Sequence, residues 1–189
     1  MRTAAFAQRA LPGFAPTGYR DIGLRHWLLS ESGAFDAAGR ALADEHYSRR
    51  KVGAPQFMPP GQRFVLVTPS LDSVWGWWRP HPDSGIVAMN KLDGWTCTIF
   101  RRRPGCADPL ASELVLDAER APAALGYGCG PDGLLSYIWD AKVASANPGY
   151  CYKLAGWAVR GRSRDGRKTL LWKPFELAGV GPLRADAPR

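Results

Sequence analysis

Apolar and polar positions along this chain alternate, bunch and break in a way that writes out a series of short strands and helices. Arg63-Phe64-Val65-Leu66-Val67-Thr68 is rich in β-branched and aromatic residues. After the turn Pro69-Ser70-Leu71-Asp72 comes Ser73-Val74-Trp75-Gly76-Trp77-Trp78-Arg79, so 63–79 reads as a hairpin. Gly94-Trp95-Thr96-Cys97-Thr98-Ile99-Phe100 is a further strand, and Gly133-Leu134-Leu135-Ser136-Tyr137-Ile138-Trp139-Asp140 carries the signal of a buried one. Phe35, Ala38, Ala41, Leu42 and Glu45 fall at helical spacing and predict a helix over 34–45. Asp108 and Pro109 start a second helix over 109–121, with Leu110, Leu114 and Ala118 as its buried stripe and Glu113, Asp117 and Arg120 outside. Residues 21–29 fit a first strand or a short helix, and the Gly-rich stretch 122–132 reads as a loop.

The chain is organised around Asn147-Pro148-Gly149-Tyr150-Cys151-Tyr152-Lys153-Leu154-Ala155-Gly156-Trp157. Asn147 is a good N-cap, Pro148 suits the following position, and Gly156 supplies the left-handed residue that closes many helices. A helix of about two turns is marginal alone, so packing must hold it. Trp157-Ala158-Val159 then opens a terminal hairpin that turns at Asp165-Gly166 and returns through 168–173. The whole reads as an α/β (α+β) domain: a mixed, mostly antiparallel sheet flanked by helices over 21–175, with an irregular arm at 1–20 and a tail at 176–189.

Composition narrows this further. A chain of 189 residues, 46% hydrophobic with eight Trp, can bury a real core. No run approaches the ~18 apolar residues of a membrane span, and 1–7 does not make a signal peptide. The expected location is the cytoplasm, with no membrane partner. Cys97, Cys106, Cys129 and Cys151 form no Cys-x-x-Cys pair, which fits reduced thiols rather than a disulfide framework. A net charge of +8 favours a polyanionic partner such as nucleic acid, which the family resemblance given below narrows to double-stranded DNA; a generic basic protein is the alternative.

Several residues carry candidate chemistry. His46 lies in Asp44-Glu45-His46-Tyr47-Ser48-Arg49-Arg50-Lys51, and its imidazole can take a proton from an attacking amine. Arg49, Arg50 and Lys51 either hold phosphates or dress a helix C-terminus. Three Trp in four residues cannot share one strand face: Trp75 and Trp77 point one way, and Trp78 points the other beside Arg79. That second face is either packing or a stacking surface for bases. Arg101-Arg102-Arg103-Pro104-Gly105-Cys106-Ala107, between a strand and a helix start, reads as an anion cradle, as arginines on a solvated turn, or as arginines on DNA phosphates with no cofactor. Asp140 sits at a strand end, where active-site groups gather. Arg160, Arg162 and Arg164 alternate along one strand as a cationic face suited to a phosphate backbone or to protecting an edge. His26, His46, His81 and the cysteines show no metal-ligand spacing, so no metal ligand is assigned.

Two of these stretches resemble a known family. Tyr152-Lys153-Leu154-Ala155-Gly156-Trp157 is similar to the Tyr-x-x-x-Gly-aromatic segment closing the last helix of GCN5-related N-acetyltransferases (the GNAT fold). Arg102-x-x-Gly105-x-Ala107 resembles the Arg/Gln-x-x-Gly-x-Gly/Ala loop by which those proteins hold the acyl-CoA pyrophosphate. The two occur in the family's order. His46-Tyr47-Ser48 resembles a segment of the Mom-type DNA-modification proteins of phages, which share that fold. The resemblance implies a GNAT-like domain that transfers an acyl or aminoacyl-derived group to a DNA base. In that picture the donor is acyl-CoA or another phosphate-bearing molecule, held by Arg102, Arg103, Gly105, Cys106, Ala107 and Asn147. Tyr152 is the acid or an orienting group, and His46 the base. Tyr47, Ser48 and Asp140 line the pocket, with DNA on Arg49, Arg50, Lys51, Trp78, Arg79, Arg160, Arg162 and Arg164. Iron enters by the Mom resemblance alone. Two alternatives stand beside it: acyl-CoA-dependent acetylation of a small amine or protein lysine, and a non-catalytic basic DNA-binding protein.

Overall fold

The structure, a computed structural model, describes residues 15–81, 88–106 and 108–175. The tail at 176–189, most of the arm at 1–20 and the segment 82–87 lie outside the described residues, as does Ala107 of the donor loop. The elements in chain order are β1 (Tyr19–Arg20), β2 (Leu28–Ser30), α1 (Ala37–Asp44), β3 (Gln62–Val67), β4 (Ser73–Arg79), β5 (Trp95–Arg102), α2 (Ala111–Ala118), α3 (Ala121–Ala124), β6 (Leu134–Trp139), α4 (Tyr150–Leu154), β7 (Ala158–Arg162) and β8 (Lys168–Lys173). The eight strands form one sheet in the order β1-β2-β3-β4-β5-β6-β8-β7. Every neighbouring pair is antiparallel except β5 with β6. The expected mixed, mostly antiparallel sheet with flanking helices is what forms.

Strand alternation sorts the two sheet faces. Trp75 and Trp77 belong to a core cluster with Leu114, Ala118, Tyr152 and Trp157, on the side of α2, α3 and α4. Val74 and Trp78 belong to the other cluster, with Leu42, Ala43 and Met58 on the side of α1. Indole N–H groups tie the sheet to α2: Trp77 Nε1 donates to Ala118 O and Trp27 Nε1 to Leu114 O, each at 2.9 Å. Satisfying those buried donors fixes where the helix lies.

Element ends depart from the sequence expectation for identifiable reasons. The helix expected over 34–45 begins at Ala37, because Asp36 takes the cap: its Oδ1 accepts from Gly39 N at 2.6 Å. That shift buries Gly39, Leu42 and Ala43 and leaves Phe35 55% exposed, so Phe35 and Ala41 are not on the buried stripe. α2 starts at Ala111, where the Glu113 carboxylate accepts from Leu110 N at 2.8 Å and Asp108 takes no part in the cap. Leu110 is consequently exposed, and Asp117, expected outside, is buried and accepts from His26 N at 2.7 Å. Helical structure also enters the expected loop, as α3.

The short helix starts at Tyr150, not behind an Asn147 cap. Its N-cap is Gly149 at φ +73°, where a Cβ would come 2.6 Å from Leu171 Cδ1, so backbone conformation and close approach both demand glycine. Asn147 instead accepts from Tyr150 N through its carbonyl and from Lys153 Nζ through its side chain. At the other end the expectation holds: Gly156 sits at φ +84° and Trp157 N donates to Tyr152 O at 3.0 Å.

Asp36 should be the most sensitive single position on the α1 side. It is 2% exposed, caps α1, accepts from Ser30 Oγ at 2.8 Å and binds the Tyr19 phenol. Asp36→Ala is expected to cost about 2 kcal/mol through the lost cap and the stranded Ser30 hydroxyl. That lowers Tm by roughly 4–8 °C in a chain of this size. A thermal melt followed by circular dichroism measures it, and a shift under 1 °C would contradict the assignment.

Candidate active site

The site begins with an interrupted strand pair. β5 and β6 pair in parallel only at Trp95↔Leu134, Thr96↔Leu135 and Cys97↔Ser136. Beyond that point β5 runs on to Arg102 and β6 to Trp139 without pairing with each other. The register between β4 and β5 slips at the same level, from Gly76↔Ile99 to Trp77↔Cys97, which leaves Thr98 as an extra residue in a bulge. The two strands therefore fork at their carboxyl ends, which is where open α/β sheets place ligands.

Two cavities open on this fork. One, of about 460 Å³, is lined among others by Arg101, Arg102, Ala111, Ser136, Lys142, Cys151 and Tyr152. The other, of about 520 Å³, is lined by 48–51, Phe57, Met58, Pro59, Thr96 and Lys168. Both share His46, Tyr47, Cys97, Thr98, Ile99 and Tyr137. The two residues expected to meet across strand tips, Arg102 and Tyr152, thus line the same cavity, and His46 stands where it joins the second.

Tyr152 is 4% exposed and held by its surroundings. Its ring packs against Trp75 (5.7 Å), Trp157 (5.1 Å) and Phe100 (6.1 Å). Its hydroxyl lies 3.4 Å from Cys97 Sγ and bonds Ser136. Burial, reinforced by Cys97 and Cys151, raises its pKa well above the usual phenol value, so Tyr152 stays protonated and can donate. Burial likewise pushes the Cys97 thiol up to about 12, which keeps it from acting as a thiolate nucleophile.

His46 and Tyr47 follow α1, and their rings lie 4.1 Å apart. Tyr47 is hydrogen-bonded to the Trp139 main chain, which ties this loop to the tip of β6 across the fork. Ser48 contributes both Oγ (2.7 Å) and its amide N–H (3.3 Å) to His46 Nδ1. An amide can only donate, so Nδ1 is the acceptor and the Ser48 hydroxyl can pass a proton to it. Burial, with the Arg101 cation second, lowers the His46 pKa from 6.5 to about 4. The imidazole is therefore neutral at physiological pH and able to take a proton.

Arg101 reaches Glu45 at 3.2 Å, yet its Nε has no hydrogen-bond partner, and neither does Nη2 of Arg102; both atoms are buried. Buried donors left without partners beside a cavity fit an anionic ligand. The rest of the expected donor loop is directed elsewhere. Arg103 N donates to Asp72 O at 2.9 Å and Cys106 Sγ contacts Asp72 Oδ2 at 3.5 Å, which fastens the turn to the β3–β4 connection. Arg103 and Gly105 are exposed and do not line the cavity, and Asn147 is engaged with Lys153.

The expected DNA contacts divide. Trp78 is 7% exposed and donates to Pro60 O at 2.8 Å, so it is core rather than a stacking surface. Arg49 is spent on Asp44 (2.6 Å), Gln56 O and Ala54 O, where it braces the 44–58 loop instead of meeting phosphate. Arg79 pairs with Asp93 at 2.7 Å, and Arg160 with Asp132 and Arg162 with Asp140 at 2.8 Å each. A bulge at Arg160 breaks the expected alternation of β7. Asp140, expected to line the pocket, lines neither of the two cavities; it is bonded to Arg162 and to Thr169 Oγ1. Arg50, Lys51 and Arg164 are exposed, the first two beside the second cavity. Arg101, Thr98, Ser136, Tyr137, Lys142 and Lys168 are site-lining residues that sequence reasoning missed; only the position of Arg101 at a strand end could have signalled one of them.

Among the described residues no three His, Cys, Asp or Glu side chains are grouped so as to hold a metal ion. Nor is any helix among them long and apolar enough to cross a membrane.

By proton NMR the His46 ring is expected to titrate near 4, below the usual imidazole range. Between pH 6.5 and about 4 the unfolded chain binds a proton at His46 that the folded chain does not, so this group's share of stability is complete above 6.5 and is lost as pH falls through that window. A midpoint of 6 or above would overturn the neutral assignment. Comparison with protein-family models, curated proteins and solved structures finds no match.

Proposed function

We propose that this protein is a group transferase with a GNAT-like fold that modifies a base in DNA, in the manner of the Mom-type proteins its sequence resembles. One observation carries the reading: His46 with Ser48, the unpartnered buried N–H groups of Arg101 and Arg102, and the protonated phenol of Tyr152 converge on one fork between parallel strands.

In this reading the donor lies in the cavity of Arg102 and Tyr152, and the acceptor base reaches the fork through the cavity of 48–51 and Lys168. A bound acyl-type donor, carried on a phosphate-bearing molecule, would supply the activated group. Arg101 and Arg102 hold its anionic part by charge-assisted hydrogen bonds. The acceptor nitrogen loses its proton through the Ser48 hydroxyl to His46 Nδ1. Tyr152, protonated because its pKa lies well above the ordinary phenol range, donates a hydrogen bond to the leaving group and passes it the proton as negative charge develops there. A base within a duplex must first be everted to reach so recessed a site.

The pairing of Arg79, Arg160 and Arg162 with carboxylates favours a second reading, acylation of a small amine or protein lysine, because those cations are partly neutralised. Mass spectrometry of nucleosides from cells expressing the protein separates the two. The first reading expects a base of increased mass, lost with Tyr152→Phe, whose turnover falls about 10²–10⁴-fold for want of the acid while DNA affinity stays within twofold. Unmodified DNA together with co-purified acetyl-CoA would sink it in favour of the second.

A further inference from the structure

Trp139 closes β6 at the rim of the fork and is half-buried. Two ammonium groups lie over its ring, Lys142 Nζ and Lys168 Nζ, each 5.8 Å from the centroid. Lys142 lines the first cavity and Lys168 the second, so the indole is flanked by one lysine from each. Along β6, Ile138 joins the core cluster of Tyr152, while Tyr137 lines both cavities. Strand alternation puts Tyr137 and Trp139 on the face opposite Ile138. Their spacing, two residues at about 3.3 Å rise, is about 7 Å, wider than the ~3.4 Å step of stacked nucleotides and so suited to neighbouring bases that are unstacked from each other.

We infer that Trp139 is a positioning residue for the nucleic-acid acceptor: the base next to the modified one stacks on its indole, and Lys142 and Lys168 move from the ring to the flanking phosphates. This rests on the reading of DNA as the acceptor. Cation–π contacts of lysine at an exposed site are weak, so a base can displace them, whereas a released ammonium gains a phosphate. Aromatic side chains spaced along one strand face stack successive unpaired bases in other sheet-based binders. Tyr137 in the cavity and Trp139 at its edge supply two such steps, one for the base that enters and one for its neighbour. A base unstacked from its duplex neighbour needs a second support, and the indole provides it.

Fluorescence anisotropy with a labelled single-stranded oligonucleotide tests this. Trp139→Ala and the better space-filling Trp139→Leu are each expected to weaken binding about tenfold. Trp139→Phe, which keeps an aromatic face, should stay within threefold of the wild type. Both losses should leave the slope of affinity against salt unchanged, whereas Lys168→Ala should reduce its magnitude by about 0.7. If Trp139→Leu binds as tightly as the wild type, the inference fails and the functional reading stands. Wild-type protein that binds no oligonucleotide at low salt would remove both.

Discussion

The parallel hydrogen-bonding between β5 and β6 stops after Cys97 and Ser136, and most of what is distinctive in this molecule follows from that stop. Two causes meet there. The bulge at Thr98 takes β5 out of register with β4, and Tyr152 places its hydroxyl against Cys97 and Ser136, the last paired residues. A buried phenol needs hydrogen-bond partners, and these two supply them where the ladder ends. Continued pairing would close the fork and bring the faces of 98–102 and 137–139 together, leaving no room for either cavity.

The aromatic core keeps Tyr152 in that place. α4 has only five residues and could not persist without tertiary contacts. Trp75, Phe100 and Trp157 surround the Tyr152 ring, and Trp77 stacks on Trp157 at 6.5 Å. Those contacts join the central strands to α4. The hydrophobic packing that folds the domain is therefore the same packing that aims the phenol, and core and site are not separable here.

Charge is distributed less simply than a total of +8 suggests. Carboxylates on neighbouring elements take up Arg49, Arg79, Arg160 and Arg162 in ion pairs, each of which ties two segments of chain together. The exposed cations Arg50 and Lys51, and the half-buried Lys168, border the second cavity. Arg101 and Arg102 differ: both line the first cavity, and each keeps a buried donor without a partner, which is costly at low dielectric.

The linear sequence was enough to determine the strands of the 63–79 hairpin, the shared strand face of Trp75 and Trp77, the left-handed close at Gly156 and the turn at Asp165-Gly166. Each depends on local rules: alternation, β-branching, and the φ freedom of glycine. It also marked His46, Arg102 and Tyr152 as chemistry-bearing. It could not say that Gly149 rather than Asn147 begins α4, because that depends on Leu171, a residue of another strand. Nor could it separate working arginines from bracing ones, since Arg49, Arg160 and Arg162 find their carboxylates only after folding. Trp78 faced away from Trp75 and Trp77 as alternation required, but the loop around Pro60 that covers it belongs to the tertiary structure. The fork itself is long-range: no local pattern records where two parallel strands, joined through two intervening helices, will cease to pair.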